Sequence, residues 1–117
     1  MSMQTDFVAL AGPLVAGRVY PQGDAPAYVG PYITYFRVIA DEQSTLDTNG
    51  GTGNLINTRL QADVYALSYG EAQTTAMALK AAMKGWALAN VLIAEQDMRE
   101  DDNKLHRVML SVSVWHH

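Results

Sequence analysis

The side chains first to be asked for metal or acid–base chemistry are His106, His116 and His117, the three histidines of the chain. None stands at ligand spacing with Asp or Glu on a helix face, so no metal site is predicted, and His106 reads as a solvent-facing strand residue. Glu95, Asp97, Glu100, Asp101 and Asp102 form an acidic group. They lack the regular oxygen-ligand spacing and central glycine of a calcium loop, and no apolar pocket nearby would raise one carboxyl pKa for hydrolysis. A solvated hairpin tip explains them. Gly50-Gly51-Thr52-Gly53 has the glycine content of a phosphate cradle but neither the following Lys-Ser or Lys-Thr nor a helix N-terminus, because a strand comes next.

The serines lie outside any nucleophile-elbow pattern, and a chain without cysteine has no thiol nucleophile, disulfide or thiolate zinc site. The expectation is therefore a protein that is not an enzyme and carries no cofactor. What remains is recognition. Met109 and Trp115 fall on the strand face opposite Val108, Leu110, Val112 and Val114, beside Arg107, Ser111 and Ser113. Together with Arg59, Gln61, Asp63 and Tyr65 they make a mixed aromatic and charged face, a composition found at protein interfaces. An ordinary solvated sheet face carrying a few apolar residues has the same composition.

The elements that position these residues follow from pattern. Thr5 is a candidate N-cap for a helix over residues 5 to 16 with Phe7, Leu10, Ala11 and Leu14 on one face; Gly12-Pro13 ends it near Ala11 or kinks it, and Gly17 caps it. Arg18-Val19-Tyr20 is briefly extended, residues 21 to 31 are loop, and Tyr32 to Ala40 is a β-branched and aromatic strand. Residues 41 to 54 are glycine-rich and acidic, which predicts a mobile surface loop. In residues 55 to 67, Leu60, Ala62, Val64 and Ala66 alternate with Arg59, Gln61, Asp63 and Tyr65, predicting a half-buried strand.

Ser68 and Glu71 have capping-box spacing in front of a helix over residues 69 to 84, with Ala72, Ala76, Leu79 and Met83 on its apolar stripe and Gly85 at its end. Met77, Met83 and Trp86 read as packing. Residues 90 to 99, with Val91 and Ile93 opposite Leu92 and Ala94, and residues 105 to 115 predict an antiparallel hairpin. The predicted fold is a single α+β domain over residues 1–117: an antiparallel four-stranded sheet with helices on one face, in the order α-β-β-α-β-β.

The chain has 117 residues, 49% of them apolar and 17% charged, enough for one core and outside the range of disorder. Its net charge of −4, with eight scattered basic residues, argues against nucleic-acid binding. No stretch approaches the roughly 20 apolar residues of a membrane helix, and the N-terminus, which carries Asp6, does not read as a signal peptide.

Arg18-Val19-Tyr20-Pro21, Pro31-Tyr32-Ile33, the run Thr58 to Ala66, Tyr69-Gly70-Glu71-Ala72 and the run His106 to Trp115, in this order, resemble the tail completion and tail terminator family of long-tailed bacteriophages. The resemblance implies a non-enzymatic virion protein, often of prophage origin, assembling as a hexameric ring at the head-proximal end of the tail tube. It further implies the tail tube protein and a head-completion or connector protein as partners, and the virion tail as location after assembly in the host cytoplasm. A ring subunit needs two different patches that meet head to tail. The candidates are the polar sheet face, with Arg59, Asp63, Tyr65, Arg107, Met109 and Trp115, and the loop, with Asp47, Asn49 and Asn54. The competing expectation is a small ligand- or peptide-binding module; an enzyme is a remote third.

Overall fold

The computed structural model describes residues 3–43, 55–99 and 104–116. Its elements are α1 (Met3–Ala11), β1 (Val19–Pro21), β2 (Tyr32–Gln43), β3 (Leu55–Ala66), α2 (Tyr69–Lys84), β4 (Asn90–Arg99) and β5 (His106–His116). A 3₁₀ turn, Gly12–Val15, continues α1. Pro13 is the reason for the change of helix type: it has no amide hydrogen, and its ring disfavours α geometry in the residue before it. The chain then reverses through Ala16 and Gly17, both at positive φ (52° and 82°), while the Gly17 amide donates to the Gly12 carbonyl at 2.8 Å. Because α1 begins at Met3, Thr5 lies inside its first turn and is not the cap.

Helix α2 occupies its predicted span. Ser68 is extended (φ −119°, ψ 151°) and its hydroxyl oxygen accepts from the Glu71 amide at 3.1 Å. The Glu71 carboxylate accepts from the Ser68 hydroxyl at 3.3 Å, not from the Ser68 amide that a capping box would supply. Ala72, Ala76, Leu79 and Met83 form the buried stripe. Met77 lies off that stripe and is 64% exposed, so its expected packing role is corrected. At the C-terminus the Gly85 amide donates to the Ala82 carbonyl, and half-buried Trp86 meets Phe7 edge-on with centroids 6.2 Å apart.

The predicted four-stranded antiparallel sheet is overturned. The sheet has five strands in the order β1-β2-β3-β5-β4, and it is mixed because β1 runs parallel to β2, with Val19 opposite Ile33 and Pro21 opposite Tyr35. Three residues ending in proline carry too little alternation to announce a strand. It is fixed from outside instead, by the Ile33 amide donating to the Arg18 carbonyl and the Gln22 amide donating to the Tyr35 carbonyl, both at 3.0 Å. The other pairs are antiparallel, and each outer pair carries one irregularity, between Arg37 and Ile39 in β2 and between Leu92 and Ala94 in β4. Strand β2 runs three residues past its predicted end, through Asp41 to Gln43; the rest of the predicted 41–54 loop lies outside the described residues.

Both helices cover the same sheet face. Phe7, Ala11, Ile33, Leu60, Val64, Leu79, Leu110 and Val114 are fully buried there in one cluster. Fully burying an aliphatic or aromatic side chain of this size is worth about 1.5–3 kcal/mol, so this face supplies the main driving force for folding.

Candidate interaction surface

The other sheet face holds the recognition residues named from sequence. Register brings them into one array: Tyr65 is opposite Arg107, Asp63 opposite Met109, Arg59 opposite Ser113 and Asn57 opposite Trp115. The array has two ends of different character. At one end Asp63 is fully buried, and its carboxylate accepts from Arg107 Nη2 at 2.8 Å and from Gln61 Nε2 at 3.2 Å. The guanidinium of Arg107 lies 5.6 Å from the centroid of the Tyr65 ring. Tyr65 stacks on Tyr32 with centroids 4.8 Å apart and planes 14° apart, and Tyr20 and Tyr28 pack at angles around Tyr32. Buried Leu105 completes this second cluster.

A carboxylate taken out of water needs a charged partner held by hydrogen bonds, and this ion pair has one. Asp63, Tyr65 and Arg107 are therefore bound to one another within the chain. Toward the other end of the array Arg59 is exposed, while Met109 and Trp115 are half-buried. There the Asn57 amide donates to Ser113 Oγ at 2.6 Å and to the Val114 carbonyl at 3.3 Å, tying β3 to β5. Asp47, Asn49 and Asn54 lie outside the described residues.

A second surface was missed from sequence. Strand β4 is exposed at every residue after Asn90, including Val91, Leu92, Ile93 and Met98. Between β4 and α2 runs an open groove of about 890 Å³, lined by Met77, Lys80, Trp86, Leu88, Val91 and Leu92 among others. From Lys80, which also lines the groove, a row of polar contacts joins α2 to the strand. Lys80 Nζ meets Glu95 at 2.9 Å, Gln73 Nε2 donates to Asp97 at 2.9 Å, and the Tyr69 hydroxyl donates to Asp97 at 3.0 Å. The Asp97 carboxylate, first as acceptor and then as charge, raises the Tyr69 pKa above its ordinary value, with smaller contributions from desolvation and Glu95. The signal available in sequence was the unbroken run Val91-Leu92-Ile93, which reads equally well as a buried strand.

Among the described residues no group of three His, Asp or Glu side chains is placed to hold a metal ion. No helix among them is long and apolar enough to cross a membrane.

Residues 7–117 match the sequence model of the family described as tail completion protein gp17. The chain belongs to this family. As a tail completion protein it is a structural protein of the phage tail. Its fold is similar to that of a chain in the virion of the native gene transfer agent particle, with a TM-score of 0.73 at 15% identity, covering 97% of this chain and 93% of that one. Comparison with curated protein sequences finds no match. The family match begins at Phe7, the residue of α1 that both Tyr35 and Trp86 contact, and it takes in every strand, so both surfaces belong to the matched region.

Proposed function

We propose that this tail completion protein is a non-enzymatic subunit that forms a hexameric ring at the head-proximal end of the tail tube and joins the tail to the head. The observation that carries the reading is the family match over residues 7–117. In this reading the tail tube protein and a head-completion or connector protein are its neighbours. It works in the virion tail after assembly in the host cytoplasm. The array of Arg59, Asp63, Tyr65, Arg107, Met109 and Trp115 then has two parts. Asp63, Tyr65 and Arg107 stiffen the sheet, while Arg59, Met109 and Trp115 are left to meet a neighbour.

Removing the gene tests this directly. Filled heads and tails should accumulate separately, and supplying the chain in trans should restore joined particles. Normal yields of joined particles without it would overturn the reading. The α2–β4 groove is the observation that favours a second reading, a peptide-binding module. Its outer wall is an open sheet edge, the kind of site at which an extended segment adds as a further strand.

A further inference from the structure

We propose that neighbouring copies close the ring by strand addition, with β4 of one copy pairing along the open stretch of β2, Phe36 to Gln43, of the next. This rests on the ring reading above and names the surfaces that build it.

The first observation is that the sheet has two uncovered edges of similar length. Among the described residues strand β4 pairs only with β5, so there the outer backbone groups of its ten residues have no strand to bond. On the opposite side β1 covers β2 only from Ile33 to Tyr35, and from Phe36 to Gln43 no strand among the described residues lies outside β2. An open edge is a template for pairing with another chain, and proteins commonly shorten or cover such edges. Each edge here is bent by a single irregularity, between Arg37 and Ile39 or between Leu92 and Ala94, but Val91, Leu92, Ile93 and Met98 stay exposed on β4 and Val38 on β2.

The second observation is charge. Glu95 and Asp97 stand opposite Leu110 and Val108, on the helix-covered side of the sheet. Arg37 stands opposite Leu60, on that same side, and is exposed. A sheet that continues from one copy into the next with its helix layer on one side therefore brings Arg37 to the side that carries Glu95 and Asp97. Pairing of β4 with β4 of a second copy, in registers near the strand centre, would set Glu95 and Asp97 beside their own counterparts, which is unfavourable across strands. The same stretch of β2 carries Asp41 and Glu42, so unlike edges are complementary in the registers that set Arg37 beside Glu95 or Asp97 and leave Glu42 beyond them. That contact is the head-to-tail arrangement that closes into a ring when the rotation between copies allows.

The third observation is direction. Alternation through β3 and β5 leaves β4 antiparallel to β2 within one copy. Copies related by rotation about an axis along the strands would present β4 to the next β2 in antiparallel orientation, the more stable ladder.

The absence of cysteine makes the test clean. Val38→Cys is combined in turn with Ala94→Cys, Gln96→Cys and Met98→Cys, all at exposed positions, and the variants are added to tails made without the chain and then oxidised. The expected result is a ladder from dimer to closed ring on a non-reducing gel, collapsing on reduction, for at least one combination, with single-cysteine variants giving no species beyond dimer. Rings visible on the tails by electron microscopy with no ladder in any combination would overturn strand addition and leave the ring standing. Tails that bind the unmodified chain without forming rings would overturn both.

Discussion

Strands β3 and β4 have similar length and comparable patterns, yet they live in different environments. In β3, Thr58, Leu60, Ala62, Asp63, Val64 and Ala66 are all inaccessible to solvent. In β4 every residue after Asn90 is exposed, Val91, Leu92 and Ile93 included. Side-chain chemistry does not explain the contrast, since both strands mix aliphatic and acidic residues. Neighbours do. Strand β3 lies between β2 and β5 beneath the helices, whereas β4 has β5 on one side and only the rim of α2 above it. A carboxylate is consequently a structural tie at Asp63 and a surface contact at Glu95.

Truncating those two carboxylates is the strongest way to break the comparison. Asp63→Ala leaves Arg107 without its closest counter-charge in a largely buried site and should cost about 3–5 kcal/mol in a denaturation experiment; Glu95→Ala, which removes an exposed pair with Lys80, should cost less than about 1 kcal/mol. Equal losses would mean that burial does not distinguish the strands. Next in size, Leu60→Ala should destabilise by about 2–5 kcal/mol through lost burial and the cavity left behind, while Leu92→Ala should change stability by under about 1 kcal/mol in the free subunit. If β4 pairs with a neighbour, Leu92→Ala will weaken ring formation despite leaving folding intact.

The smallest effect sharpens the β4 side. The Tyr69 phenol is held protonated above its ordinary value of 10.0, chiefly by the bond it donates to Asp97. A pKa raised by folding favours the neutral form, so this contribution is present below pH 10 and is lost as pH rises through the raised value. A phenolate absorbance titration should show a late-titrating component that moves toward the ordinary value in Asp97→Asn.

What could be read beforehand divides along the same line. Helix α2 and strands β3, β4 and β5 announce themselves locally, through the Ser68 cap, the stripe from Ala72 to Met83 and strict alternation from Val108 to Val114. Strand β1 does not, because three residues become a strand only through Arg18 and Gln22 bonding to a segment more than ten residues away. The six sheet-face residues share a face as alternation predicts. That Asp63 is inaccessible depends on Arg107 and Gln61 closing over it, a fact of pairing between strands far apart in sequence. Met77 departs from its expected packing role for the converse reason: apolar spacing records what a residue could bury, not whether another element arrives to cover it.

The β2–β3 ladder runs from Tyr32 opposite Tyr65 to Gln43 opposite Leu55, and from it the core cluster takes Ile33, Leu60, Ala62, Val64 and Ala66. Sequence change at exposed positions such as Arg59 and Val91 can accumulate without drawing on the folding energy stored around Ile33 and Val64, so a lineage can retune what the subunit meets while inheriting an unaltered scaffold.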